Sequence, residues 1–121
     1  MSTILIIDDS PTELHLFQNM LEKNGFETLV ADNGDEGIKQ AASSHPDCIL
    51  MDVVMPGMNG FQATRKLSQN PVTSQIPVII ITSKDQETDK IWAKRQGAVE
   101  YLVKPVAEKQ LVHMINSVTA D

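Results

Sequence analysis

Four short stretches of this chain carry side chains capable of polar chemistry: Asp8-Asp9, Asp52, Thr82 and Lys104. Each has an ordinary structural use. Asp9 or Ser10 suits a helix cap, Asp52 suits the start of a turn before Pro56-Gly57, Thr82 suits a strand end, and Lys104 before Pro105 suits a solvated loop. Brought together, they do something else. Two carboxylates about 4 Å apart repel by roughly 4 kcal/mol at an effective dielectric near 20, so Asp8, Asp9 and Asp52 in one place would raise one another's pKa. A hard divalent cation relieves that repulsion, and Mg²⁺ suits best, because it takes one or two carboxylates, water and phosphate oxygen. Zn²⁺ is disfavoured: Cys48 lies in an apolar run, and His15, His45 and His113 share no ligand spacing. Beside Mg²⁺, a carboxylate can act as nucleophile and form an aspartyl phosphate. The charge developing on the phosphoryl oxygens needs a metal, a fixed cation and hydrogen-bond donors. Mg²⁺, Lys104, the Thr82 hydroxyl and nearby backbone N–H groups supply one of each kind.

Whether these residues meet depends on the elements that carry them. Short apolar runs bounded by turn residues predict strands over Thr3–Ile7, Thr28–Ala31, Asp47–Met51, Val78–Thr82 and Glu100–Val103. ILII and VIIIT are apolar on both faces, as parallel strands covered on both sides are. Helical patterns fill the gaps. Ser10-Pro11-Thr12-Glu13 reads as a capping box with proline in the first helical position, before a Leu14, Phe17, Leu21 stripe that Gly25 ends. Ile38, Ala41 and Ala42 make a weaker stripe, and Phe61, Thr64 and Leu67 make another after Gly60. A fourth helix is expected from Asp85 to Gln96, opened by Ser83 or Asp85 and closed by Gly97. Leu111, Met114, Ile115 and Val118 mark the fifth. Five βα units imply an α/β, doubly wound, flavodoxin-like (βα)5 sandwich with a parallel sheet of order 2-1-3-4-5. Strands one, three, four and five are then neighbours, and ligands of such sheets bind beyond the strands' carboxyl ends. Asp8-Asp9, Asp52, Thr82 and Lys104 all fall there.

Composition bounds the rest. A chain of 121 residues fits one domain, spanning 1–121, with enough core to need no disulfide or metal staple. No apolar run approaches the roughly 18 residues that cross a bilayer, and MSTILIIDD has no cationic lead of a signal peptide. A single cysteine excludes an intramolecular disulfide and agrees with a reducing cytoplasm. A net charge of −6 argues against non-specific nucleic-acid or acidic-lipid binding.

IIDDS at 6–10, MDVVMPGMNG at 51–60, IITS at 80–83 and YLVKP at 101–105, in this order and spacing, resemble the receiver domain of two-component response regulators over essentially the whole chain. The resemblance implies that Asp52 accepts a phosphoryl group from a histidine kinase. It implies Mg²⁺ held by Asp9, Asp52 and the Val54 carbonyl with Asp8 helping through water, Lys104 pairing with the phosphoryl group, and a cis Lys104–Pro105 peptide. It also implies that Thr82 and Tyr101 move on phosphorylation and remodel the face of helix four, strand five and helix five for a downstream protein. SPTELHLF, MDVVMPGMNGFQATR and TSKDQETDKIWAKRQGA further resemble PilH-type regulators of type IV pilus twitching motility, which are stand-alone receivers served by a chemotaxis-like kinase. With no output domain in the chain, output would pass through another protein, and Trp92 on the fourth helix is a candidate contact. Val54, two residues after Asp52, cannot orient a hydrolytic water, and Lys84, two after Thr82, is placed to cover the phosphoryl group; unaided dephosphorylation is therefore not expected to be especially fast.

Other readings stay open at this point. A haloacid-dehalogenase-like phosphatase also uses an aspartyl nucleophile, but it has a second acid where this chain has Val54. A flavodoxin-type FMN carrier needs a Ser-, Thr- and Gly-rich phosphate loop where this chain has DDSPTE. Within signalling, a diffusing effector and a phosphate sink for a shared kinase share one sequence signature.

Overall fold

A computed structural model describes residues 2–119. Five strands alternate with five helices: β1 Thr3–Ile7, α1 Pro11–Lys23, β2 Glu27–Ala31, α2 Gly34–Ser44, β3 Cys48–Met51, α3 Gly60–Gln69, β4 Val78–Thr82, α4 Glu87–Arg95, β5 Glu100–Val103 and α5 Glu108–Thr119. The strands form one parallel sheet in the order β2-β1-β3-β4-β5. The expected flavodoxin-like order is therefore the observed one.

Strand side chains alternate between faces, and the core divides accordingly. Ile4 and Ile6 face one way, packing with Leu14, Phe17 and Leu21 of α1 and Leu111 and Ile115 of α5. Leu5 and Ile7 face the other, packing with Ala41 of α2, Ala63 and Leu67 of α3 and Ala93 of α4. The central strands need apolar residues on both faces because helices cover both. Each fully buried Leu or Ile adds about 1.5–3 kcal/mol relative to exposure, which holds the strand ends in a fixed plane.

The helix ends differ in instructive ways. Asn33 and Asn59 each cap a helix by accepting from the N–H three residues on, and Gln62 completes a reciprocal capping box with Asn59. Gly25 follows the end of α1 with φ of 88°, a left-handed conformation that suits glycine. The fourth helix corrects the sequence reading: it starts at Glu87 after Gln86, and neither Ser83 nor Asp85 caps it. Backbone groups of that loop have other partners. The Lys84 N–H lies 3.4 Å from the Thr82 hydroxyl, and the Lys84 carbonyl accepts from the Tyr101 hydroxyl at 2.6 Å.

Cys48 opens β3 fully buried, and burial pushes its thiol up to about 12. The thiolate is the reactive form, so native protein at pH 8 is expected to be inert to a disulfide reagent such as DTNB. One equivalent should react once denaturant unfolds the chain. Labelling of the native protein faster than it unfolds would contradict this burial.

Candidate functional site

The sheet's own hydrogen-bond ladder positions the polar residues, because each ladder runs one step past its strand. The Asp8 N–H donates to the Ala31 carbonyl at 3.1 Å, Asp52 N–H to Ile7 at 3.0 Å and Lys104 N–H to Thr82 at 2.9 Å. Asp8, Asp52, Thr82 and Lys104 are thereby fixed at one edge as rigidly as the strands. From the other side Gly60, the first residue of α3, donates its N–H to the Val53 carbonyl at 2.9 Å. A Cβ at Gly60 would overlap the Asp52 carbonyl oxygen and crowd the Val53 backbone. The close approach of α3 to the Asp52 turn therefore requires glycine here.

Asp8, Asp9 and Asp52 each present a carboxylate oxygen, and the three lie within 4.8 Å of one another. Asp8 and Asp52 are buried, while Asp9 is exposed. The Lys104 ammonium stands against them, 3.0 Å from Asp8 Oδ2, 3.4 Å from Glu13 Oε1 and 4.0 Å from Asp52 Oδ1. Its nitrogen lies 6.0 Å from the centre of the Phe17 ring, a weak cation–π contact. Burial alone would lower the lysine pKa; the Asp8 hydrogen bond and the charges of Asp52, Asp8 and Glu13 outweigh it and raise the pKa. Burial raises the Asp52 pKa and Asp8 adds to the rise, against the pull of Lys104, the Val53 N–H and the Thr82 hydroxyl. A raised carboxyl pKa means that folding disfavours the ionised form, so this contribution opposes stability near neutral pH and fades as the pH falls.

The donor set fits a hard divalent cation: three carboxylates meet with no nitrogen or sulfur ligand among them. The three are not equivalent. Asp8 Oδ1 already accepts from the Ser10 N–H at 3.0 Å and Oδ2 from Lys104 at 3.0 Å. Asp9 is exposed, and the cap of α1 is made by Ser10 rather than by Asp9.

The capping box expected at Ser10 is only half formed. Ser10 Oγ accepts from the Glu13 N–H at 3.3 Å, but the return bond is missing, since the Ser10 N–H goes to Asp8 and the Glu13 carboxylate turns to Lys104. Glu13 thus belongs to the site, a role that its local spacing concealed. Thr82 is fully buried, and Tyr101 is half-buried with its hydroxyl on the Lys84 carbonyl. The Lys104–Pro105 peptide is cis. Val54 is 60% exposed and Trp92 47% exposed. These two line a groove of about 440 Å³ with Phe61, Lys84 and Asp89, so Trp92 is not a core residue of α4.

The family model for the response regulator receiver domain matches residues 4–116. The chain belongs to that family. It is 58% identical over 120 residues to Protein PilH of Pseudomonas aeruginosa, covering 99% of each chain. Among solved structures, the chemotaxis protein CheY4 of Vibrio cholerae superposes with a TM-score of 0.92 at 28% identity, covering 98% of both chains. The receiver domain of the sensor histidine kinase PA1611 of P. aeruginosa, whose structure has a magnesium ion coordinated in the active site cleft, gives a TM-score of 0.92 at 24% identity, covering 99% of this chain and 98% of that one.

The charge geometry and the close approach at Gly60 have measurable consequences in this receiver. In metal-free buffer at pH 7, Asp9→Asn should raise the thermal midpoint by relieving repulsion, whereas Lys104→Met should cost about 2 kcal/mol by leaving Asp8 buried beside two other acids. Mg²⁺ should raise the wild-type midpoint by binding the folded state and raise that of Asp9→Asn less; thermal scans with and without Mg²⁺ decide both. Gly60→Ala should destabilise by about 1–3 kcal/mol through overpacking, read from urea midpoints, and should also weaken the Mg²⁺-dependent gain.

Proposed function

We propose that this receiver is a Mg²⁺-dependent phosphoryl switch whose acceptor is Asp52, charged by a histidine kinase and read by a downstream protein. The observation that carries this reading is the buried Asp52 carboxylate between two further acids and the Lys104 ammonium. In the transfer, the phosphorus–nitrogen bond of a kinase phosphohistidine breaks and a phosphorus–oxygen bond to Asp52 forms. Lys104, 4.0 Å from Asp52 Oδ1, is placed to pair with the added charge, and the Thr82 hydroxyl to donate to it. Asp9, Asp52 and the Val54 carbonyl would hold the ion, with Asp8 acting through water because both of its oxygens are engaged. Bound there, Mg²⁺ would offset carboxylate repulsion and draw charge from the phosphoryl oxygens. The magnesium in the PA1611 receiver supports this choice of metal.

A phosphorylated aspartate carries about 1.5–2 negative charges where one stood. We read Thr82 and Tyr101 as the residues that relay this change to the face carrying α4, β5 and α5, with Trp92 as a contact for the partner. Identity to PilH at 58% over nearly the whole chain supports a role in type IV pilus twitching control, with the chain acting as a single stand-alone receiver in the cytoplasm. In this reading the protein is the kinase's substrate rather than an enzyme acting on others. Among the described residues, no helix is long and apolar enough to cross a membrane.

Incubation with Mg²⁺ and acetyl phosphate, followed by intact-mass measurement, tests the acceptor. Wild type should gain one phosphoryl group and Asp52→Asn none. Equal labelling of the two would overturn the assignment.

A further inference from the structure

Asp89 lies in the first turn of α4 with its side chain only 15% exposed. Its Oδ1 faces the Lys84 ammonium at 3.6 Å, while its Oδ2 is buried without a hydrogen-bond partner among the described residues. A buried, half-satisfied carboxylate is costly to keep and calls for an explanation. A local cap does not supply one, since α4 starts without any side-chain cap. The groove that Asp89 lines does. It also holds Lys84, Val53 and Val54, and so opens beside the backbone that follows Asp52. Lys84 is tethered there at three points: its N–H near the Thr82 hydroxyl, its carbonyl on Tyr101, and its ammonium on Asp89. The first two fix the backbone and the third alone fixes where the charge points. Lys84 is the less committed cation of this edge, more exposed and paired with one carboxylate, whereas Lys104 is held by Asp8 and Glu13.

We propose that Asp89 is a positioning residue that parks Lys84 away from Asp52 in the unphosphorylated protein, so that the phosphoryl group and Asp89 compete for one ammonium. The inference rests on Asp52 being the acceptor. Phosphorylation adds negative charge at Asp52, draws Lys84 across the groove and leaves the first turn of α4 without its counter-charge. Every gain made at the phosphoryl group is therefore reduced by the pair lost at Asp89. The protein tunes its charged state through a residue that touches neither metal nor phosphorus.

Beryllofluoride, a phosphoryl mimic, tests this by titration calorimetry in excess Mg²⁺ on wild type, Asp89→Asn, Lys84→Ala and the double variant. A partly exposed ion pair is worth up to about 1 kcal/mol, or about two- to fivefold in affinity. Asp89→Asn should bind about two- to fivefold tighter than wild type, and Lys84→Ala should bind weaker. In the Lys84→Ala background Asp89→Asn should have no further effect, whereas Asp89→Glu in the wild-type background should stay near wild type. An equal effect of Asp89→Asn in both backgrounds, or none in either, overturns the proposal. Wild type that neither binds beryllofluoride nor takes a phosphoryl group from acetyl phosphate overturns the acceptor role of Asp52 and this inference with it.

Discussion

The site depends on one ammonium surrounded by acids. Lys104 is the only cation within 4.0 Å of Asp8, Glu13 and Asp52 among the described residues, and the sheet gives the backbones of Asp8, Asp52 and Lys104 no freedom to retreat. Repulsion that a flexible loop would relax is held in place by ladder hydrogen bonds at the ends of β1, β3 and β5. The protein thus keeps a region of excess negative charge at the edge of its most apolar strands. That combination favours a divalent cation, and it makes the charge on Asp52 felt by everything nearby.

Charge is arranged in two tiers. Lys104 is half-buried and fixed, paired through Asp8 to the end of β1. Lys84 is more exposed, and its ammonium is held by a single carboxylate on α4. A change at Asp52 therefore meets a rigid cation that stabilises it and a movable one that can report it. Tyr101 anchors the second tier to the core, since its hydroxyl holds the loop that carries Lys84 while its ring packs against the core cluster shared with α3 and α4. Burial and then the charges of Asp89, Asp85 and Asp52 push that hydroxyl up to about 12, so it stays a hydrogen-bond donor throughout the physiological range.

Much of this was legible in the sequence, and the reasons are physical. Strands buried on both faces leave near-continuous apolar runs, so the ends of ILII and VIIIT, and the polar residues just beyond them, could be located to the residue. The strand order followed from the pattern that five βα units most commonly adopt, while handedness settled only the crossovers. What escaped were features whose cause lies far along the chain. Glu13 has the spacing of a capping partner, and only the approach of Lys104 from far along the chain shows why it turns away. The start of α4 was placed too early because Ser83 and Asp85 look like caps, while the loop between them is held by Tyr101 on another strand. Gly60 looked like a helix boundary, but it is the point at which α3 meets the Asp52 backbone. Trp92, by contrast, was a candidate exposed contact on the fourth helix, and it stands half in solvent lining a groove.

The incomplete cap of α1 ties two properties that protein engineers usually treat as separable. Drawing the Glu13 carboxylate back to the Ser10 backbone would complete the box and strengthen the helix start by the usual increment of a good cap. The same rotation would strip an acid from Lys104 and set the Glu13 carboxylate against that of Asp8 as rival acceptors for the one Ser10 N–H. Thermal robustness of the first helix and electrostatic balance of the acidic edge are governed by one side-chain torsion. A change that returns Glu13 to the cap would detune the pocket, and keeping Glu13 on Lys104 leaves the helix start below its attainable stability.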